Sequence, residues 1–138
     1  MATRRRAREA ILQMLFQLEA TGESPLEVVR LYRASFSEGP IPDDFSIQLF
    51  KQIADTVAHI DGIIVSASDN WRLERMSRVD RNILRIGVYE LKNNVPETPV
   101  KVVINEAVEL AKRFGAEESA AFVNGVLDRI AKDAGVTN

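Results

Sequence analysis

Apolar positions along this chain recur every three to four residues from end to end, the spacing of helices buried along one side. In residues 3–20, Ala7, Ala10, Ile11, Met14, Leu15 and Leu18 fall on one stripe, with Thr3 placed as an N-cap. Gly22 ends that helix; Ser24 caps a second, which has Pro25 at its first position and carries Val28, Val29, Leu31 and Tyr32. Ser37 to Pro42, two prolines beside a glycine, reads as a loop. A third helix starts near Asp43 or Asp44 and carries Phe45, Leu49, Ile53 and Val57; a fourth stretch runs from about Ile60 to Leu73.

Ser77 to Asp80 forms a capping box with Asp in the place of Glu, opening a helix through Ile83, Leu84, Ile86, Val88 and Leu91. Asn93 to Pro96 breaks it. Thr98-Pro99 starts the next helix, which Gly115 ends, and the last runs from about Glu118 to Ala134. Val102 to Ile104 is β-branched, but its capped surroundings with a 3.6-residue period outweigh strand propensity. The pattern predicts an all-α chain of about seven helices with no internal repeat.

Composition narrows the chemistry. With 138 residues, 46% hydrophobic and 28% charged, the chain can bury a core without staples. The absence of cysteine excludes thiol catalysis, disulfides and thiolate metal sites, and a single histidine excludes multi-histidine metal sites. His59 and Asp61 sit at alternate positions, which face different ways on a helix, and no nucleophile elbow stands beside them. His59 therefore reads as a surface or helix-end residue. Glu106, Glu109 and Glu117 read as structural charges. No phosphate-binding glycine loop is present. The expectation is a non-enzyme without cofactor or metal.

The net charge of −2 conceals an asymmetry. Arg4, Arg5, Arg6 and Arg8 against Glu9 give the first ten residues +3, leaving −5 for the remainder. Such separation points to nucleic acid or a membrane surface. Gln13, Gln17 and Glu19 interrupt any signal-peptide core, no stretch reaches transmembrane length, and the acidic remainder disfavours membrane-surface binding. The expected location is the cytoplasm. A second basic set, Arg78, Arg81, Arg85 and Lys92, lines the arc opposite the apolar side of its helix. It reads either as a solvated face or, paired with the N-terminal cluster, as part of an RNA footprint, since arginine forks onto phosphate and stacks on bases. Leu12 and Phe16 form a second row with Arg5 and Glu9, off the core stripe. They meet another helix of the same domain or dock a protein partner.

Several blocks resemble the NusB family of bacterial transcription antitermination factors. They are Arg4 to Ala10 followed by Leu12 to Phe16; Val79 to Ile86 with Tyr89 to Leu91; and Val102 to Lys112 with Phe114-Gly115 and then Phe122 to Asp128. The run INEAVELAK…FVNGVLD is the most specific, and the similarity is weak from about Gly22 to Arg75. The resemblance implies an all-α fold of two packed subdomains, an N-terminal three-helix unit at about 1–75 and a C-terminal four-helix unit at about 76–138. It implies a non-enzymatic adaptor that binds single-stranded boxA RNA of ribosomal operon leaders with the ribosomal protein NusE, and joins RNA polymerase and other Nus factors to suppress termination. An alternative within the same fold is a protein-interaction module that homodimerises through the arginine-bearing surface.

The family's RNA segment lands on Arg4, Arg5, Arg6 and Arg8, and its second RNA-facing surface on Glu118 and Phe122. Its NusE-facing surface lands near Phe16, Glu74 and Asp80. Phe16 keeps the ring but not the hydroxyl of the tyrosine frequent there. Asn124 and Gly125 sit mid-helix against propensity, and close helix packing is the expected reason for Gly125.

Overall fold

The computed structural model describes residues 2–35, 44–68, 72–93 and 98–135. Among them are seven α-helices and no strand: α1 (Ala2–Thr21), α2 (Pro25–Ser35), α3 (Asp44–Asp55), α4 (Val57–Ala67), α5 (Arg78–Asn93), α6 (Val100–Phe114) and α7 (Ser119–Asp133), with one 3-10 turn at Leu73–Arg75. No described helix is long and apolar enough to cross a membrane. The expected loop at Ser37 to Pro42, the break at Asn94 to Pro96, and Trp71 lie outside the described residues.

Helix ends follow local chemistry. Gly22 takes φ +70°, a left-handed conformation that glycine adopts without strain, and its N–H donates to Leu18 O at 2.9 Å. The Ser24 hydroxyl accepts the Glu27 N–H at 3.2 Å, and the Ser77 hydroxyl accepts the Asp80 N–H at 3.0 Å. Thr3 is no cap, because α1 already includes it. The fourth helix starts before Ile60 and stops at Ala67, short of Leu73. There the Ser68 hydroxyl donates to Ile64 O at 2.7 Å, a local bond that competes with continuing the helix.

The chain forms two compact units, Met1–Thr56 and Val57–Asn138. The division falls earlier than the expected 75/76 because α4 packs on α5 and α7 and so belongs to the second unit. In the first unit α1, α2 and α3 pack mutually around Ile11, Met14, Val28, Tyr32, Phe50 and Ile53. In the second, α5 is central. It contacts α4, α6 and α7, and every residue from Asn82 to Leu91 is buried. Each fully buried Leu or Ile contributes roughly 1.5–3 kcal/mol, so these layers dominate stability.

Close approach of α5 and α7 depends on Gly87, where an added Cβ would stand 2.8 Å from Leu127 Cδ1. The packing role expected of Gly125 belongs to Gly87. Gly125 is exposed, and an added Cβ there has no heavy atom within 4 Å.

Candidate nucleic-acid and partner surfaces

The first turns of α1 present Arg4, Arg5 and Arg6 as exposed side chains. The Arg4 guanidinium lies 5.8 Å from the centroid of Phe45 on α3, a contact that orients the basic end against its own unit. One residue further on, the stripe turns inward. Ala7 and Ala10 are core, and Arg8 is only 5% exposed. Arg8 therefore offers little surface to RNA, contrary to its expected role; its position on the buried side of α1 is the reason.

Leu12 and Phe16 part company. Leu12 is 4% exposed and joins the core, so it is not a docking residue, whereas Phe16 is 40% exposed. Stepping 100° per residue places the two one turn apart, but the covered side of α1 is wide enough to take in Leu12.

On α5 the middle of the expected basic arc is turned inward. Arg85 forms a fork-to-fork pair with Asp61 of α4, Nε to Oδ1 and Nη2 to Oδ2 both at 2.8 Å, and its Nη1 donates to Asn82 Oδ1 at 2.9 Å. All three nitrogens are engaged inside the unit, so Arg85 is not an RNA contact; it ties α4 to α5. It also takes the carboxylate that stood near His59, leaving His59 exposed beside a shallow groove of about 480 Å³ between α4 and the ends of α5 and α7.

Arg81 is half-buried. Its Nη1 donates to Leu73 O at 3.0 Å and Met76 O at 3.2 Å, clamping the 3-10 turn onto α5. Its nearer role is thus structural rather than RNA contact. Exposed Glu74 lies in the clamped 3-10 turn, and Asp80 lies in the first turn of α5, where the helix dipole favours an acid. Asp80 Oδ1 is buried without a hydrogen-bond partner among the described residues. A buried carboxylate oxygen left so is unusual. Arg78 and Lys92, at the two ends of α5, are exposed.

The second surface grows from a tight turn between α6 and α7. Gly115 closes α6, its N–H donating to Ala111 O at 2.9 Å. A Cβ on Gly115 would lie 2.6 Å from the Ser119 side chain, so only glycine fits. The Ser119 hydroxyl accepts the Ala116 N–H at 2.9 Å, which fixes the start of α7 without help from Glu118. Glu118 is exposed, and half-buried Phe122 follows one turn later, its N–H donating to Glu118 O at 3.1 Å.

One surface escaped the sequence reading. An open groove of about 890 Å³ between α2 and α3 is lined by Leu26, Arg30, Arg33 and Lys51, with Asp44 at one end. Leu26 is 68% exposed, off the line of Val28 and Tyr32. Arg30 is held bidentate by Glu27 one turn before it, and that contact lowers the Glu27 pKa.

The described residues form a helical protein with exposed arginines at the start of α1 and an acid in the first turn of α5, surfaces suited to binding. The family model for the NusB family matches residues 5–132, and the chain belongs to that family. It is 51% identical to the transcription antitermination protein NusB of Sorangium cellulosum (strain So ce56), covering 98% of this chain and 96% of that protein. NusB from T. maritima superposes with a TM-score of 0.77 at 37% identity, covering 94% of this chain and 91% of the other. The crystal structure of the antitermination factors NusB and NusE in complex with dsRNA contains a chain 27% identical, with a TM-score of 0.81, covering 96% of this chain and 98% of that one.

Proposed function

We propose that this chain is an RNA-binding transcription antitermination adaptor that acts with the ribosomal protein NusE on boxA RNA of ribosomal operon leaders, in the cytoplasm, and without catalysis of its own. The observation that carries the reading is family membership along nearly the whole chain, together with a relative of the same fold crystallised with NusE and RNA. The exposed Arg4, Arg5 and Arg6 supply phosphate contacts, and Glu118 and Phe122 frame a base-facing surface on α7. Phe16, Glu74 and Asp80 face the protein partner. The acidic pair suits a basic ribosomal protein, and Phe16 supplies an apolar anchor. Through that complex the adaptor meets RNA polymerase and the other Nus factors.

The test is a gel-shift titration of boxA RNA and a scrambled control against the purified protein, with and without NusE. The reading requires preference for boxA and tighter binding when NusE is present. With about three phosphate contacts on a single strand, log K falls with log salt at a slope of about −2. Equal binding to the scrambled strand would overturn it. A homodimer in light scattering that neither RNA nor NusE dissociates would favour a protein-interaction module instead.

A further inference from the structure

The groove between α2 and α3 is built from one spacing used twice. On α2, Leu26, Val29, Arg30 and Arg33 stand at i, i+3, i+4 and i+7; on α3, Asp44, Ile47, Gln48 and Lys51 do the same. That spacing sets each group along one side of its helix, over a rise of about 10 Å or close to two turns. Val29 and Ile47 are 6% and 9% exposed and form an apolar floor. Leu26 stands above it, more exposed than Phe16, Val65 or Val102.

The charge of the groove opposes that of its surroundings. Residues 11–138 carry a net −5, yet Arg30, Arg33 and Lys51 line the groove against Asp44. Asp44 lies in the first turn of α3, where the helix dipole favours an acid whatever the groove binds. Glu27 already holds Arg30. Exposed Arg33 and half-buried Lys51 have no hydrogen bond or ion pair among the described residues.

We infer that this groove docks a short acidic amphipathic helix of a partner protein, its apolar side chains seated on Val29 and Ile47 against Leu26 and its carboxylates reaching Arg33 and Lys51. A helix of about two turns fills the length of the groove, with leucine-like anchors at i and i+4 and acids at i+3 and i+7. The site shares no residue with the surfaces assigned to RNA and NusE and does not depend on that reading. A nucleic-acid strand suits it poorly. No aromatic ring is among the described residues that line it, and the Glu27 and Asp44 carboxylates repel phosphate.

The experiment measures fluorescence anisotropy of a labelled, side-chain-stapled helical peptide of about ten residues, with leucine at i and i+4 and glutamate at i+3 and i+7, against the full chain. Controls carry lysine for the glutamates or serine for the leucines. Wild type binds the acidic peptide and neither control, and added salt weakens the binding. Leu26→Ser weakens it about tenfold, the scale of one apolar anchor lost. Arg33→Glu weakens it about fivefold or more and admits the lysine peptide. Both side chains are exposed, thermal melts confirm the fold, and boxA RNA and NusE affinities stay at wild-type values. No binding by wild type, equal binding of either control, or unchanged affinity in both variants overturns the proposal. Displacement of the peptide by boxA RNA, or its loss on replacing Arg4, Arg5 and Arg6 by Ala, assigns the contact to the RNA surface and overturns it too. A wild-type dimer in light scattering that Leu26→Ser dissociates gives the groove to a second copy of this chain instead.

Discussion

Two sets of arginines in this chain have similar sequence dress and opposite fates. Arg4, Arg5 and Arg6 are exposed in the first turns of α1. Arg81 and Arg85 sit farther along α5, a helix packed by α4, α6 and α7 and clamped to the 3-10 turn. Along the covered part of this central helix the polar arc has little water to face, so its charges find partners inside: Asp61 and Asn82 for Arg85, two carbonyls for Arg81. Spacing along a helix tells which residues share a face. Whether that face meets solvent is decided by how many neighbours the helix has.

The sharpest way to break this contrast is to remove Arg85. Its loss strands the Asp61 carboxylate in a largely covered site, which costs about 3 kcal/mol. Urea denaturation of Arg85→Ala measures that drop. The double variant with Asp61→Ala recovers part of it, because the stranded charge is gone. Intact stability with weakened RNA binding would instead return Arg85 to the binding surface.

Leu12 and Phe16 repeat the contrast on α1 itself. Leu12→Ala empties a core position and costs about 2–4 kcal/mol, whereas Phe16→Ala costs well under that and weakens NusE binding. Denaturation midpoints and a NusE pull-down read the two effects apart. A stable Leu12→Ala that loses NusE would restore Leu12 as a docking residue.

The exposed set gives the reverse signature. Replacing Arg4, Arg5 and Arg6 together by Ala leaves stability within about 1 kcal/mol, the main loss being the Arg4 contact with Phe45. Affinity for RNA falls at least tenfold, and the salt dependence flattens by about 2 in slope as three phosphate contacts disappear. Arg8→Ala belongs to the other group: it destabilises, because its side chain is covered. Salt titrations of both variants decide the assignment.

Much of the fold was legible because capping is local. Ser24, Ser77, Gly22 and Gly115 act within a turn or two of their own positions, and each marks a helix end observed in the structure. What failed depended on distant neighbours. Gly87 and Gly125 both break helix propensity, but only the position of Leu127 reveals that the first is there for packing. Arg85 looked like surface until Asp61, 24 residues away, came into contact. The unit boundary was misplaced for the same reason: α4 is apolar nearly all round, and its partners lie later in the chain. The exposed Arg4 to Arg6 end was readable because a helix terminus has few ways to be covered.

The smallest effect probes where α1 passes from surface to core. Tyr32 of α2 is buried against that passage, its hydroxyl donating to Gln13 Oε1 at 3.1 Å. Burial, and then the nearby Glu9 carboxylate, raise the Tyr32 pKa above its usual value. The fold thus favours the protonated phenol. Its contribution is complete below the unfolded pKa of about 10 and is lost as pH rises above it. Tyr32→Phe costs about 1 kcal/mol at neutral pH through the lost hydrogen bond, and it flattens the fall in stability above pH 10. Denaturation curves at pH 7 and near pH 10.5 measure both quantities. An equally steep alkaline fall in Tyr32→Phe would mean that water reaches the hydroxyl, and that the covered side of α1 begins later than Arg8 and Glu9 indicate.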